Sequence, residues 1–216
     1  MIEILYQDSA VVVCLKPIGL NSESDMVSAL KEQLLCDIFA VHRLDKAVSG
    51  VMVYAKTKES SADLSRQITE NKLTKEYLAV VSGIPENPSG TLEDLLYHDV
   101  RTNKTFVVKR KRAGVKTALL EYKTLATAEY ESNSISKIGV KLITGRTHQI
   151  RVQFASRKMP LLGDARYGGN RLCKNVALFS HRLSFYNPIS KELQNFESMP
   201  PNQFPWDMSN KKPNLE

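Results

Sequence analysis

The sequence predicts an α+β fold in which a few helices and loops flank a mixed, mainly antiparallel β-sheet. Segments of strand character outnumber segments of helical periodicity, and the two kinds do not alternate regularly as they would in βαβ units. The length of 216 residues suits one large domain. Apolar residues make up 42% of the chain and charged residues 25%, which is close to the globular average and excludes disorder over most of its length.

The first half of the chain combines short strands with two amphipathic helices. The first helix follows Asp25, which can cap it, and covers residues 26 to about 36. The second covers about 60–70, where apolar residues recur at helical spacing. Lys-Pro-Ile-Gly at residues 16–19 interrupts the early strand pattern, because proline removes a donor and glycine permits unusual backbone angles. The predicted strands are residues 3–6, 11–15, 51–55 and 75–82.

The second half begins with residues 83–116, which are rich in turn formers and charge and are therefore predicted to form loops. Thr144 and Gly145 turn the chain into a helix, and several prolines interrupt the tail beyond residue 188. The predicted elements of this half are strands at 117–125, 136–142 and 177–185 and a helix at 147–156.

The net charge is +7, from 30 Lys and Arg against 23 Asp and Glu. Such an excess suggests a polyanionic partner, most simply nucleic acid. An ordinary basic protein has the same excess, so charge alone leaves both interpretations open. No segment approaches the ~18 apolar residues of a membrane helix, and residues 1–10 lack the pattern of a secretory signal. We therefore expect a cytoplasmic protein that binds no membrane.

The cysteines and histidines are scattered along the chain. Cys14, Cys36 and Cys173 are far apart and form no Cys-x-x-Cys pair, as is typical of reduced thiols in the cytoplasm. The four histidines have no zinc-site spacing. The sequence therefore predicts no metal site.

The densest group of reactive side chains is His42-Arg43-Leu44-Asp45, on a loop that leads into the strand at 51–55. A strand can fix such a loop while the loop reaches a ligand, which makes Asp45 well placed for chemistry. The alternative interpretation is that these residues form a surface ion pair together with a turn or helix cap. An isolated Arg-x-Asp favours this second interpretation.

A second group surrounds the start of the helix at 147–156. If Thr147 begins the helix, the free backbone donors of its first turn can attract an anion. Arg146 precedes that turn, Arg151 reinforces its positive field, and His148 can donate a hydrogen bond to a phosphate or to the backbone. A capped amphipathic helix explains the same residues, so both interpretations stay open.

Two further features have less specific patterns. Tyr77 lies within a strand, where a tyrosine is usually part of the core, and it would stack on a base only if it faced a cleft. The basic cluster is formed by Lys109, Arg110, Lys111 and Arg112. It either steers RNA electrostatically or forms a solvated hairpin tip.

Taken in order, these motifs resemble the RluA-type pseudouridine synthase family. The family pattern has Lys-Pro-x-Gly, His-Arg-Leu-Asp-x-x-Thr/Ser-Ser-Gly, Lys-x-Tyr and Gly-Arg-Thr-His-Gln-Ile-Arg, which are found here at 16–19, 42–50, 75–77 and 145–151. Val48 stands where the family usually has threonine, a change that removes no catalytic group. Each motif alone is weak, but their shared order over nearly the whole chain argues against chance.

The resemblance implies the pseudouridine synthase catalytic fold as a single domain over residues 1–216, with no accessory N-terminal RNA-binding domain. It implies an isomerase that breaks the C1′–N1 bond of a specific uridine in tRNA or rRNA, turns the uracil and joins its C5 to C1′. The family uses no metal and no organic cofactor. RNA is the expected partner, and a monomer is the expected state.

The resemblance also implies roles for individual residues. Asp45 matches the essential aspartate and acts either as a nucleophile or as a base. Arg146 matches the cation that lies against this aspartate and keeps it ionised. Tyr77 matches the tyrosine that packs against the uracil, and Arg43 matches a position that helps to hold the displaced nucleotide. The remaining candidate RNA contacts are His42, His148, Arg151, Lys109, Arg110, Lys111 and Arg112.

Two other functions compete with this one. A non-catalytic RNA-binding or folding protein on the same scaffold fits the positive charge, but a binding module needs no carboxylate that faces a polyanion. A nucleoside hydrolase or base glycosylase would transfer the sugar to water, and the sequence offers no clear second carboxylate to activate that water.

Overall fold

The computed structural model describes residues 1–170 and 172–208, which form two compact units. The first unit holds Met1–Glu76 and Phe179–Pro200. The second unit holds Tyr77–Leu178 and the segment that begins at Pro201.

The helices are α1 (Asp25–Leu34), α2 (Lys58–Thr69) and α3 (Gln149–Ala155), and a short 3-10 helix spans Ala165–Tyr167. The strands are β1 (Glu3–Gln7), β2 (Val11–Lys16), β3 (Phe39–Ala40), β4 (Ser49–Ala55), β5 (Thr74–Ser82), β6 (Ser89–Asp99), β7 (Lys104–Val108), β8 (Val115–Tyr130), β9 (Asn133–Leu142), β10 (Leu178–Tyr186) and β11 (Leu193–Glu197).

In the first unit, β4 is the central strand. One edge of β4 pairs antiparallel with β2, which in turn pairs with β1. The other edge pairs antiparallel with β3 and parallel with the start of β10, and β11 pairs with β10. Val13, Val53, Leu64 and Phe185 are fully buried in the core of this unit, so both β4 and α2 are anchored by apolar burial.

Gly50 allows β4 and β10 to approach closely at the point where the preceding loop enters β4. Its φ angle is 124°, and a Cβ there would lie only 2.2 Å from the carbonyl oxygen of Ser180. A side chain at position 50 would therefore push the two strands apart. The glycine fixes the exit of the loop that carries Asp45.

In the second unit, the strands follow the order β5-β9-β8-β6-β7. The long strand β8 pairs antiparallel with β9 on one edge and with β6 on the other, and β7 covers the remaining edge of β6. One apolar cluster contains Ile135 and Leu162, and another contains Leu96 and Val152 of α3. Because α3 packs on this sheet, the loop before it has a fixed position.

The α+β prediction is confirmed, since antiparallel pairs dominate and the pairing of β4 with β10 makes the sheet mixed. The prediction of loops over 83–116 is wrong, because β6 and β7 occupy much of that segment. β6 contains Asp and Glu, which are depleted in strands, but it pairs on both edges and buries Leu92 and Leu96. Tertiary pairing has overridden local propensity there.

Several element ends also differ from prediction. The helix predicted from residue 147 begins at Gln149, because His148 has a φ angle of 54° and cannot continue a helix. The helix predicted to reach about residue 36 ends at Leu34, where Leu35 takes a φ angle of 53°. β3 and β11 were not predicted, since one is two residues long and the other follows a proline-containing turn.

Among the described residues, no helix is both long and apolar enough to cross a membrane.

Candidate functional site

Asp45 lies in the first unit, in the loop between β3 and β4. The side chains of Leu44 and Val48, on either side of it in the sequence, are buried and anchor the loop to the core. The carbonyl oxygen of Asp45 accepts a hydrogen bond from the Val48 N–H at 2.9 Å, which closes a tight turn. The candidate catalytic carboxylate is therefore mounted on a short, anchored loop and is itself only partly buried.

Lys16 brings a positive charge close to this carboxylate within the same unit. Its side chain is 1% exposed, and its ammonium donates hydrogen bonds to the carbonyls of Pro17 and Leu20 at 2.9 and 2.8 Å. Burial lowers the pKa of Lys16 to about 8, while the negative charges of Asp45 and Asp25 oppose that effect. In the sequence, Lys16 stands out only as part of a family motif. A lysine at the end of an apolar strand, directly before a proline, was the available signal.

Arg43 has the exposed position expected of a residue that meets RNA. Its side chain is 54% exposed and forms an ion pair with Glu23 at 3.4 Å. Exposed pairs of this kind contribute less than ~1 kcal/mol. A phosphate group can therefore displace Glu23 at little cost.

His42 has contacts that differ from those expected of an RNA ligand. The Val53 N–H donates to its Nε2 at 3.2 Å, so the ring proton sits on Nδ1, which is buried without a hydrogen-bond partner. Burial lowers the pKa of His42 to about 3, and the charge of Lys75 acts in the same direction. A neutral ring facing the backbone of β4 favours a structural role, and contact with RNA stays a prediction.

The neutral state of His42 makes stability depend on pH. Below its ordinary pKa of 6.5 the unfolded chain binds a proton at this residue, while the folded chain does not until about pH 3. Between pH 7 and pH 5 this difference should lower the free energy of unfolding by about 2 kcal/mol. Urea unfolding at pH 7 and pH 5 measures this loss of free energy. In His42→Gln the loss should be about 2 kcal/mol smaller than in the wild type. An equal loss in both proteins contradicts this account.

Tyr77 is the first residue of the second unit and lies in β5. Its side chain is 5% exposed. Burial to this degree fits the core position that is usual for a tyrosine in a strand, and its role toward uracil stays a prediction.

Arg146 lies in the second unit, in the turn between β9 and α3. Gln149 braces the turn, because its Oε1 accepts hydrogen bonds from the Arg146 N–H at 3.0 Å and from the Thr144 hydroxyl at 2.8 Å. The Nε of Arg146 donates to the carbonyl of Thr117 at 3.0 Å. The exposed guanidinium is thus held at its base, a geometry that suits an anion-binding side chain.

His148 is buried directly after this turn. Its Nδ1 lies 2.9 Å from the Tyr167 hydroxyl, which also accepts a hydrogen bond from the Thr105 N–H at 2.8 Å. The Thr105 hydroxyl donates to the carbonyl of Thr147 at 2.9 Å. These contacts hold the left-handed backbone at His148 and favour a structural role for it, while RNA contact stays a prediction.

Arg151 is also buried, contrary to the outward position expected of an RNA-binding arginine. Its guanidinium forms two hydrogen bonds with the Asp164 carboxylate, at 2.7 and 2.8 Å, and the two side chains are 6% and 1% exposed. The guanidinium also lies over the ring of Tyr167 at 5.2 Å. Arg151 therefore ties α3 to the segment at Asp164, and its contact with RNA stays a prediction.

The basic cluster, Lys109 to Arg112, is exposed on the connection between β7 and β8. This connection is not a hairpin tip, because β7 and β8 pair with opposite edges of β6 and not with each other. The segment instead crosses β6, where the Arg112 guanidinium lies 4.8 Å from the centre of the Tyr97 ring. This cation–π contact anchors one end of the cluster.

Within residues 1–170 and 172–208, no group of three or more His, Cys, Asp or Glu side chains is arranged to hold a metal ion.

The sequence matches the family model described as RNA pseudouridylate synthase over residues 10–156. That range contains Asp45, Tyr77, Arg146 and the basic cluster.

Curated relatives and solved structures agree with this match. An uncharacterized RNA pseudouridine synthase of Aquifex aeolicus is 35% identical over 94% of this chain and 71% of its own. The dual-specificity RNA pseudouridine synthase RluA of Escherichia coli K12 is 31% identical over 90% of this chain and 91% of its own. The structure of human RNA pseudouridylate synthase domain containing 1 has a TM-score of 0.81 at 22% identity, with 94% and 85% of the two chains covered.

The human domain containing 4 gives a TM-score of 0.74 at 24% identity, covering 92% of this chain and 88% of that one. These two structures confirm the fold, and the sequence matches show to which family the chain belongs. The chain therefore belongs to the RluA-type RNA pseudouridine synthases, a family of isomerases that convert uridine to pseudouridine in RNA.

Proposed function

We propose that this protein modifies a specific uridine of tRNA or rRNA and that Asp45 is its catalytic residue. The observation that carries the proposal is the His-Arg-Leu-Asp loop, in which buried neighbours and a backbone turn hold Asp45 within the region that matches the family. Such mounting serves a side chain that must meet a substrate in one geometry.

The reaction is an isomerisation without net oxidation. The C1′–N1 bond of the uridine breaks, the uracil turns, C5 bonds to C1′, and the hydrogen on C5 leaves as a proton while N1 gains one. Asp45 stabilises the change at the sugar either by attack on C1′ or by removal of a sugar proton. Because no electrons are gained or lost overall, the chemistry requires no redox cofactor.

The substrate-binding residues in this proposal are Arg43, Tyr77 and Arg146. The target nucleotide must leave its stack, which costs a few kcal/mol. Tyr77 offers an aromatic ring to the uracil, and Arg146 offers a guanidinium whose base is fixed by Thr117. Arg43 is exposed and weakly paired, which supports a role in holding the displaced nucleotide or its RNA strand.

We further propose that the protein works as a monomer in the cytoplasm, with residues 1–216 acting as one catalytic domain. The three cysteines are free thiols, which supports a reducing compartment. Sedimentation of the purified chain tests the monomer, and a concentration-dependent dimer contradicts it.

The basic cluster is proposed to bind the RNA backbone. Replacing Lys109, Arg110 and Lys111 with Gln should weaken RNA binding and make its dependence on salt shallower, by roughly 0.7–0.9 in the logarithmic slope for each phosphate that is no longer neutralised. Arg112 stays in place because it packs on Tyr97. The measurement is binding of tRNA and rRNA fractions at several salt concentrations.

A matched control removes three exposed lysines of the first unit. Lys31, Lys72 and Lys191 each already pair with a carboxylate. The same number of Lys→Gln changes there should lower affinity less and leave the slope nearly unchanged. Equal slopes for the two triple variants would contradict a specific contact at the basic cluster.

A further inference from the structure

Ser22 holds the residue next to Asp45 with a single hydroxyl group. Its side chain is 2% exposed. The hydroxyl donates to the carbonyl oxygen of Leu44 at 2.8 Å and accepts from the N–H of the same residue at 3.0 Å. Both backbone groups of Leu44 are therefore satisfied by one side chain from 22 positions earlier in the sequence.

These bonds restrain the backbone on both sides of Asp45. The peptide unit before Asp45 is held at the Leu44 carbonyl by Ser22. The peptide unit after it is held at the Asp45 carbonyl by the Val48 N–H, and the Lys46 carbonyl accepts from the Gly19 N–H at 2.8 Å. With both flanking peptide units fixed, the direction in which the Asp45 side chain leaves the backbone is also fixed.

Ser22 is itself supported from the core of the first unit. The hydroxyl of Tyr54, a fully buried residue of β4, donates to the Ser22 carbonyl at 3.0 Å. Leu44 is 6% exposed, so its backbone groups have little water to replace the bonds to Ser22. A chain of contacts thus runs from β4 through Ser22 to the residue before Asp45.

We propose that Ser22 is a positioning residue for catalysis, acting through the Leu44 backbone to aim the Asp45 carboxylate. This inference rests on the proposed catalytic role of Asp45. A displacement of about 1 Å in a reacting group can cost on the order of 100-fold in rate. Loss of the Ser22 hydroxyl should therefore act on the chemical step more than on RNA binding.

The test compares Ser22→Ala with Ser22→Thr in the full chain. RNA labelled with tritium at uracil C5 is prepared as tRNA and rRNA fractions, and the fraction on which the wild type acts is used for kinetics. Ser22→Ala should lower kcat by roughly 10- to 100-fold with KM within about threefold of the wild type. Ser22→Thr retains the hydroxyl and should recover most of kcat.

A matched control separates positioning from general stability. Ser60 is also a buried serine of the first unit, but it lies at the start of α2 and bonds with Thr57. Ser60→Ala should lower the melting temperature without the loss of kcat, when assayed well below that temperature. If Ser22→Ala fails to fold, Tyr54→Phe replaces it, and a reduced kcat with unchanged KM is expected there too.

Each outcome decides one of the two proposals. Full kcat in Ser22→Ala, or in Tyr54→Phe where that variant is used, overturns the positioning role, as does an equal loss in Ser22→Thr. Asp45→Asn is measured beside them, because full activity in that variant overturns the catalytic role of Asp45 instead. An inactive Asp45→Asn with a fully active Ser22→Ala rejects Ser22 alone.

Discussion

Asparagine in place of Asp45 should lower the rate of pseudouridine formation by roughly 10⁴-fold, which is the scale of loss when a group that acts directly on the reacting atoms is removed. The amide can neither attack C1′ nor accept a sugar proton, and it carries no charge to stabilise an electron-poor carbon. KM should change little if Tyr77, Arg146 and Arg43 supply most of the contacts to RNA.

Asp45→Asn preserves the backbone hydrogen bonds of the loop. Backbone groups of Leu44, Asp45 and Lys46 make hydrogen bonds that hold this loop, and asparagine keeps those bonds. The side chain also keeps nearly the same volume. The substitution also affects Lys16. The negative charge of Asp45 raises the pKa of Lys16, so its removal should lower that pKa. That change acts on the charge of Lys16 and leaves the backbone bonds of the loop in place.

The measurement is release of tritium from uracil C5 in labelled tRNA and rRNA, because that hydrogen leaves when C5 joins C1′. Asp25→Asn is the matched control, since Asp25 also acts electrostatically on Lys16 but is an exposed residue at the start of α1. It should retain near wild-type activity. Equal release by Asp45→Asn and the wild type would point to a non-catalytic RNA-binding protein, and free uracil among the products would point to a hydrolase.

Contiguous motifs allow the loops of the candidate site to be located from the sequence. Asp45 and Arg146 each lie inside a run of characteristic residues, and each lies on the short loop where the pattern places it. Lys16 stands out only as part of the Lys-Pro-Ile-Gly motif. Ser22 lacks even that signal, because its proposed role depends on burial against a distant loop. A serine is typical of turns and a lysine of surfaces, and nothing local shows that either side chain is enclosed.

The same limit explains the polar residues that were assigned to RNA. His42, His148 and Arg151 have side chains that bind phosphate readily, and sequence pattern alone cannot show which way they face. In the structure all three make contacts inside the protein. β6 presents the converse case, because its polar residues predicted loops while pairing on both edges made it a strand. Burial and pairing are tertiary properties, and local composition only constrains them weakly.

The buried pair of Arg151 and Asp164 should have the largest effect on stability. Replacing Asp164 with Ala leaves the guanidinium buried without its partner, and we expect the free energy of unfolding to fall by about 3–5 kcal/mol. Arg151→Met should cost a similar amount, since it leaves the carboxylate uncompensated. The double variant should lose less than the sum of the two, because neither charge then remains in the core.

The neighbouring pair of Arg157 and Asp94 provides the matched comparison. Its side chains are 31% and 12% exposed, its N–O distance is 2.8 Å, and Arg157 follows the end of α3. Arg157→Met should lower stability less than Arg151→Met, because Asp94 is more exposed than Asp164 and still accepts a hydrogen bond from Gln153. Urea titrations followed by circular dichroism measure both series, and similar losses in the two pairs would contradict the importance given to burial.

The same variants decide what Arg151 does toward RNA. If its charge is fully used inside the second unit, Arg151→Met should bind RNA with the wild-type salt dependence at any temperature where it stays folded. If Arg151 contacts a phosphate, the logarithmic salt slope should become shallower by roughly 0.7–0.9. An arginine with 6% of its side chain exposed and both oxygens of Asp164 as partners presents little surface to a polyanion. We therefore expect a loss of stability with an unchanged slope.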